Sequence, residues 1–410
     1  MRFIPGAHKL DGVLCGCCTS MTVSTTRDPR SRAVRAARGR VVKLTVDTTT
    51  AAKTNTKVKR RNDPIGLTIP SAFGNTSDWV VGRLIGTGAE KIVHLLQNSE
   101  TKEQYAIKLV PTAARSGSRP SERTTNAASL KREFKLMHNQ LQSLQGICVP
   151  ALPPQNNAAQ PRAYGENEQG WNYAVVELMS CQILELIPNM VSDAQSRGDD
   201  AVDLAPWVRA LLENCRLTQA LGVVNVDIKP ENIMVSARGK MCWVDWGLMQ
   251  LLSTKENPHG AGTPAFMACT AHRLSPSSRE DVESTLYVMV EVVLRTQACI
   301  RGEKELKALD ATYLPWDLDA SEAEVLATKE KHLRGKFKSV LYETMLPHDA
   351  GTCIQKALEL NWKCKFNEAP KYDKLISILS ALKVPLDKEN RDPSLRRSGR
   401  VSAALSSAVN

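Results

Sequence analysis

Residues 225–247 read N-V-D-I-K-P-E-N-I-M-V-S-A-R-G-K-M-C-W-V-D-W-G. Two short apolar runs, Ile233-Met234-Val235 and Met241-Cys242-Trp243-Val244, flank a glycine-containing segment and predict two strands joined by a turn. Such a hairpin sets Asn232 at the start of one strand and Asp245 at the end of the other, so that both can reach one metal ion. Phosphoryl transfer needs an acceptor-only group to orient a hydroxyl, a cation beside the moving phosphate, and oxygen ligands for magnesium. Asp227, Lys229, Asn232 and Asp245 are groups of those kinds. A lone Asp-x-Lys or Asp-x-Gly is more often a solvated turn. D-I-K-P-E-N followed within one hairpin by D-W-G is a far more specific signal.

The hairpin resembles the catalytic and magnesium loops of eukaryotic protein kinases, H-R-D-x-K-x-x-N and D-F-G. It departs at three places: Asn225 stands for the His, Val226 for the Arg and Trp246 for the Phe. The resemblance implies a bilobal α+β fold, with a small β-rich N-lobe and a larger α-helical C-lobe. It also implies ATP and Mg2+ as cofactors. Asp227 would orient the acceptor hydroxyl, Lys229 would neutralise the moving phosphate, and Asn232 and Asp245 would hold magnesium.

Upstream, residues 79–96 read W-V-V-G-R-L-I-G-T-G-A-E-K-I-V-H-L-L, a pattern of two strands around a tight glycine turn. Gly86 and Gly88 would let backbone N–H groups approach phosphate oxygens. An ordinary hairpin would explain that much. The turn resembles the kinase glycine-rich loop, although Lys91 occupies the place of the third glycine. Residues 105–110, Y-A-I-K-L-V, form a β-prone run that resembles the V-A-I-K strand, whose lysine, here Lys108, holds the α- and β-phosphates. A polar linker over 111–128 leads to a helix whose apolar positions Leu130, Phe134, Met137, Leu141 and Leu144 recur at helical spacing. Glu133 lies at the edge of that stripe, where a carboxylate needs a cation, and Lys108 is the expected partner. Residues 150–170 read as a polar loop, and 173–179 as the strand and hinge between lobes. By the resemblance, Ile85, Gly86, Thr87, Gly88, Val93, Ala106, Glu177 and Met179 would line the nucleotide, with Val176 at the back of the pocket. Residues 207–221 then predict a helix stopped by Gly222.

Downstream the usual Ala-Pro-Glu is absent. Instead G-T-P-A-F-M-A at 262–268 and E-D-V-E-S at 280–284 resemble the casein kinase 1 superfamily, including the vaccinia-related kinases. Residues 282–294 are apolar nearly all round, as in a helix inside a lobe. Asp281 is expected to cap that helix and to hold the catalytic loop from below. The resemblance covers about 79–383, with an N-lobe over 79–179 and a C-lobe over 180–383.

The chain has 410 residues, 11 cysteines and a formal charge of +11. No run of 18 apolar residues occurs, so no membrane span is expected. The odd, scattered cysteines argue against a secreted disulfide framework. Residues 1–78 carry 14 Lys/Arg against 5 acids, and the segment between the two tails holds 35 of each sign. A basic arm on a neutral body suggests an acidic or nucleic-acid partner bound through charge, or import into the nucleus. Six arginines over 27–40 and the cluster Lys57-Val58-Lys59-Arg60-Arg61 carry that reading. An Arg-rich start also fits an organelle transit peptide, so the expected locations are nucleus or cytoplasm, with an organelle as the alternative. Disorder is expected over 1–78, and a flexible tail over 384–410 contains Lys388-Glu389-Asn390, which resembles a degradation signal.

The whole reading is an ATP-dependent protein kinase acting on serine or threonine hydroxyls of protein substrates. Two alternatives stand beside it: a pseudokinase scaffold, suggested by Asn225, Val226 and Lys91, and a small-molecule phosphotransferase on the same fold. Val226 offers no donor to a phosphate on Ser253, Thr254 or Thr263, so the domain is expected to be competent without activation-segment phosphorylation.

Overall fold

The computed structural model describes residues 64–69, 78–88, 91–112, 120–153, 164–167, 170–252, 262–272, 277–302, 313–316, 320–331, 346–366 and 368–386. The two arginine- and lysine-rich clusters, Ser253 and Thr254, and the Lys388-Glu389-Asn390 motif lie outside them.

The small lobe begins with β1 (Thr68–Ile69), β2 (Trp79–Thr87), β3 (Ile92–Asn98) and β4 (Gln104–Pro111), continues through helix α1 (Pro120–Asn139), and ends with β5 (Tyr164–Glu166) and β6 (Trp171–Glu177). The strands form one antiparallel sheet in the order β1-β2-β3-β4-β6-β5. Side chains alternate across it. Ile107 and Leu109 join Trp79, Val81, Leu96 and Val175 in one buried layer. Val110 and Ala174 on the opposite face pack with Leu130 of α1. Lys108 shares that second face, and so looks toward α1 and Glu133.

Three boundaries differ from the sequence reading. Strand β1 lies inside the segment expected to be disordered; it pairs with Trp79 and Val80 and buries Leu67 and Ile69. Helix α1 starts at Pro120, well before the end of the expected linker, and stops at Asn139, leaving Leu141 and Leu144 of the apolar stripe to a following 3-10 turn. Strand β5 lies inside the expected loop over 150–170, and its Gly165 is overlain by Tyr173, whose ring would sit within about 3 Å of any added Cβ.

The large lobe runs through β7 (Cys181–Gln182), α2 (Ile187–Arg197), β8 (Ala201–Asp203), α3 (Ala205–Ala220), β9 (Val223–Val224), β10 (Ile233–Val235), β11 (Met241–Trp243), β12 (Gln250–Leu251), α4 (Ser278–Ile300), α5 (Glu322–Lys329), α6 (His348–Trp362), α7 (Tyr372–Leu379) and β13 (Lys383–Pro385). This is the bilobal α+β architecture that the sequence implied. Helix α4 is buried on every side, with Val282, Leu286, Met289, Val290 and Val293 all fully covered. Its N-cap is Ser277, whose N–H and hydroxyl both donate to Glu280, and not Asp281 as expected. Strand β13 pairs with β8 and buries Val384, so the ordered lobe runs slightly past residue 383.

Candidate active site

The hairpin β10–β11 forms in the expected register, Ile233 opposite Trp243. Val244 N–H donates to Asn232 O at 3.0 Å, which closes the ladder and sets Asp245 beside Asn232. On the other side β10 pairs with β7, so β10 is paired along both of its edges.

Ahead of it, Asp227 gathers a polar cluster. Its Oδ1 accepts from the Thr263 hydroxyl at 2.7 Å, and its Oδ2 accepts from the Asn232 amide at 2.9 Å. The Lys229 ammonium lies 3.1 Å from Oδ2 and donates to Thr263 Oγ1 at 2.8 Å. A carboxylate flanked by an ammonium and a hydroxyl at this spacing can orient one more hydroxyl. Thr263 was read in the sequence as part of the G-T-P-A-F-M-A segment and as a residue where phosphate would lack a partner. The structure commits its hydroxyl to Asp227 and Lys229 instead.

Asp281 holds this loop from beneath. Its two oxygens accept from the N–H groups of Asn225 at 2.7 Å and Val226 at 3.0 Å. Burial pushes the Asp281 carboxyl up to about 7, against the pull of those two bonds. Asn225, where the resembling family has His, turns its own amide oxygen onto the N–H of Asp227 at 3.1 Å. Val226 sits at φ 74, a conformation that costs a β-branched residue about 1–3 kcal/mol. Gly262, at φ +112, packs directly on it: a Cβ there would meet the Val226 carbonyl oxygen at 2.7 Å.

The small lobe contributes a second charged cluster. Lys108 donates to Glu133 Oε1, and to Val244 O at 2.6 Å, so the expected pair is present and also grips the large-lobe hairpin. The other Glu133 oxygen is taken by Lys91, at 2.6 Å, and Lys91 also reaches Asp245 Oδ1 at 2.9 Å. Lys91, read in the sequence as a departure from the glycine pattern and as a reason to weigh a pseudokinase, therefore belongs to the candidate site. The signal that could have found it is charge parity: two carboxylates, Glu133 and Asp245, faced one expected lysine. Burial alone would lower the Lys91 pKa, but Glu133 and Asp245 outweigh it and hold the ammonium well above the usual lysine range. Burial likewise opposes ionisation of Asp245, and Lys108 and Lys91 hold its carboxyl well below the usual carboxylate range.

Two side-chain oxygens remain for a divalent ion. Asn232 spends its amide N–H on Asp227, leaving Oδ1, and Asp245 Oδ1 is held by Lys91 and Gly247 N–H, leaving Oδ2 on a side chain 41 % exposed. Magnesium takes one or two protein oxygens and completes its shell with phosphates and water. Among the described residues no cluster of three or more His, Cys, Asp or Glu could hold a metal.

The residues expected to line the nucleotide fall on two edges. Gly86 pairs with Val93, Thr87 with Ile92, and Gly88 N–H closes the turn on Lys91 O at 2.8 Å. Ile85 and Val93 pack against the same apolar cluster as Ala106 and Val176. At the hinge, Glu177 is tied to Ala151, N–H to carbonyl at 2.8 Å and carboxylate to N–H at 3.0 Å. Met179 is 9 % exposed and lies two residues past that strand end.

The segment after Gly262 is held from inside the lobe. Trp316 Nε1 donates to Ala265 O at 2.8 Å; Lys329 donates to Pro264 O and, at 2.7 Å, to Met267 O. The Lys329 ammonium also lies 5.0 Å from the Tyr287 ring and 5.4 Å from that of Trp316.

A sheet-over-helices fold with a carboxylate–ammonium loop, a hairpin carrying Asn232 and Asp245, and a lysine–glutamate pair is the arrangement of a protein kinase domain. The family model for the protein kinase domain matches residues 79–312, more than half of the chain, and the chain belongs to that family. It is 25% identical over 225 residues to the serine/threonine-protein kinase PEPKR2 of Arabidopsis thaliana, covering 53% of this chain and 40% of that protein. It is 27% identical over 176 residues to the stress-activated protein kinase JNK of Drosophila melanogaster, covering 42% and 40%. A probable casein kinase I homolog of Encephalitozoon cuniculi is 22% identical over 227 residues, covering 53% of this chain and 63% of the homolog. The chain thus covers less than two thirds of each of these relatives.

Proposed function

We propose that this protein transfers the γ-phosphate of Mg-ATP to serine or threonine hydroxyls of protein substrates. The observation that carries the reading is the Asp227 carboxylate, held by Asn232 and Thr263 with the Lys229 ammonium 3.1 Å away. Asp227 would orient the acceptor hydroxyl and take its proton as the oxygen–phosphorus bond forms and the bond to the ADP leaving group breaks. Lys229 would sit beside the transferred group. Lys108, fixed by Glu133, would hold the α- and β-phosphates. Asn232 and Asp245 would hold magnesium, which neutralises phosphate charge when bound. Positioning and charge supply the rate in such a site. Within the family, G-T-P-A-F and D-V-E-S support a casein-kinase-1-type member.

The test is transfer of radiolabelled phosphate to a mixture of peptides, followed by phosphoamino-acid analysis. Asp227→Asn should lower the rate by at least ~100-fold while leaving the fold intact. Equal labelling by both proteins would support the second reading, a pseudokinase scaffold, which Lys91 motivates by occupying one oxygen of Asp245. The Lys57–Arg61 cluster supports a nuclear or cytoplasmic location; replacing Lys57, Lys59, Arg60 and Arg61 by Ala should move a nuclear protein outward, and an unchanged distribution counts against it.

A further inference from the structure

Lys91 is 9 % exposed, and its ammonium joins three elements: the glycine turn that it closes, α1 through Glu133, and the magnesium loop through Asp245. Lys108 meets Glu133 from the other side, so two ammoniums and two carboxylates form one neutral cluster. The packing is close. A Cβ on Gly247 would come within 3.4 Å of Lys91 Nζ and 3.2 Å of Asp245 Oδ1.

A site with one lysine, Glu133 and Asp245 would carry net negative charge and repel a triphosphate until a divalent ion arrived. The second ammonium removes that charge, and in a partly desolvated site such a change acts at close range. It also fixes Asp245 through Oδ1 while leaving Oδ2 open.

We propose that Lys91 is a second nucleotide-site cation, which holds Asp245 and Glu133 in register and lets the site bind a nucleoside triphosphate with only weak dependence on divalent metal. The inference rests on the kinase reading, and its test separates the two. The full chain is titrated with a fluorescent ATP analogue in excess magnesium and again in excess chelator, for wild type, Lys91→Met and Lys91→Arg. Thermal unfolding of each variant checks that it is folded. Wild type should bind within about tenfold of the same affinity in both buffers, and Lys91→Met should widen the gap by a further tenfold or so, through weaker binding in chelator. Lys91→Arg, which keeps the charge, should behave as wild type. Lys108→Met should bind the analogue more weakly in both buffers, and Lys91→Met with Lys108→Met together should not bind it.

An equal magnesium dependence in wild type and Lys91→Met overturns the inference while leaving the kinase reading in place. Tighter magnesium-nucleotide binding by Lys91→Met also overturns it, since Lys91 would then be a plug on Asp245. Absence of binding by wild type in either buffer removes the kinase reading and the inference together.

Discussion

Thr263 and Asp281 carry little of the motif that identifies this family, yet one bonds the Asp227 carboxylate and the other the backbone just before it. Thr263 donates to Asp227 and accepts from Lys229. Thr263→Ala should therefore reduce peptide phosphorylation by about tenfold or more, a loss of about 1.4 kcal/mol of barrier, and Thr263→Ser should restore most of it. An alanine at this position cannot serve as a control for a missing phosphate, because it removes an active-site hydroxyl. Asp281 supplies both acceptors for the backbone before Asp227, with its carboxyl pushed up to about 7. Protonation takes one acceptor away. Peptide turnover at saturating substrate should fall as pH drops through about 7, and Asp281→Asn should be slow at every pH without that limb. Stability runs in the opposite direction: the carboxyl's contribution is full below its ordinary value of 3.8 and is lost as pH rises through about 7.

At the scale of elements, β1 has the clearest consequence. Leu67 and Ile69 are buried against the sheet, Gly66 N–H donates to Val81 O and Val81 N–H returns to Leu67 O, each at 2.8 Å. A buried aliphatic side chain is worth about 1.5–3 kcal/mol. A chain beginning at Ser71 should lose several degrees of thermal midpoint relative to one beginning at Pro64, at about 2–4 °C per kcal/mol for a domain of this size. Equal midpoints would show that β1 adds nothing. This strand was not legible in the sequence because two residues cannot display a period. Strand β5 failed for a related reason: three residues, one of them Gly165, in a Pro- and Asn-rich setting. The start of α1 had a signal that apolar periodicity ignores, since proline favours the first helical turn and Pro120 stands there. The hairpin β10–β11, by contrast, announced itself through apolar runs and a glycine turn, and with it came Asp227, Asn232 and Asp245. Lys91 stayed hidden for a different reason: what it does depends on which residues meet it in space. Ser277 did carry a local signal, the Ser-x-x-Glu pattern with Glu280.

For the molecule as a whole, the question is what orders the segment facing the catalytic loop. Trp316 and Lys329 bind three of its carbonyls, and Glu283 of α4 accepts from Cys269 N–H at 2.9 Å. These anchors are all side chains of the large lobe. Phosphatase treatment of the purified protein should accordingly lower its peptide activity by less than about tenfold, or about 1.4 kcal/mol of barrier. A larger drop would reveal a phosphate-dependent switch. No helix among the described residues is long and apolar enough to cross a membrane.

Gly262 has no functional group, and its contact with Val226 is main chain against main chain. Every other amino acid would bring a Cβ onto that carbonyl oxygen and an unfavourable φ of +112 besides. In a saturation screen scored by activity, Gly262 would tolerate substitution as poorly as Asp227 does, for want of space and not of chemistry. A map of intolerance drawn without the structure would count it among the catalytic residues.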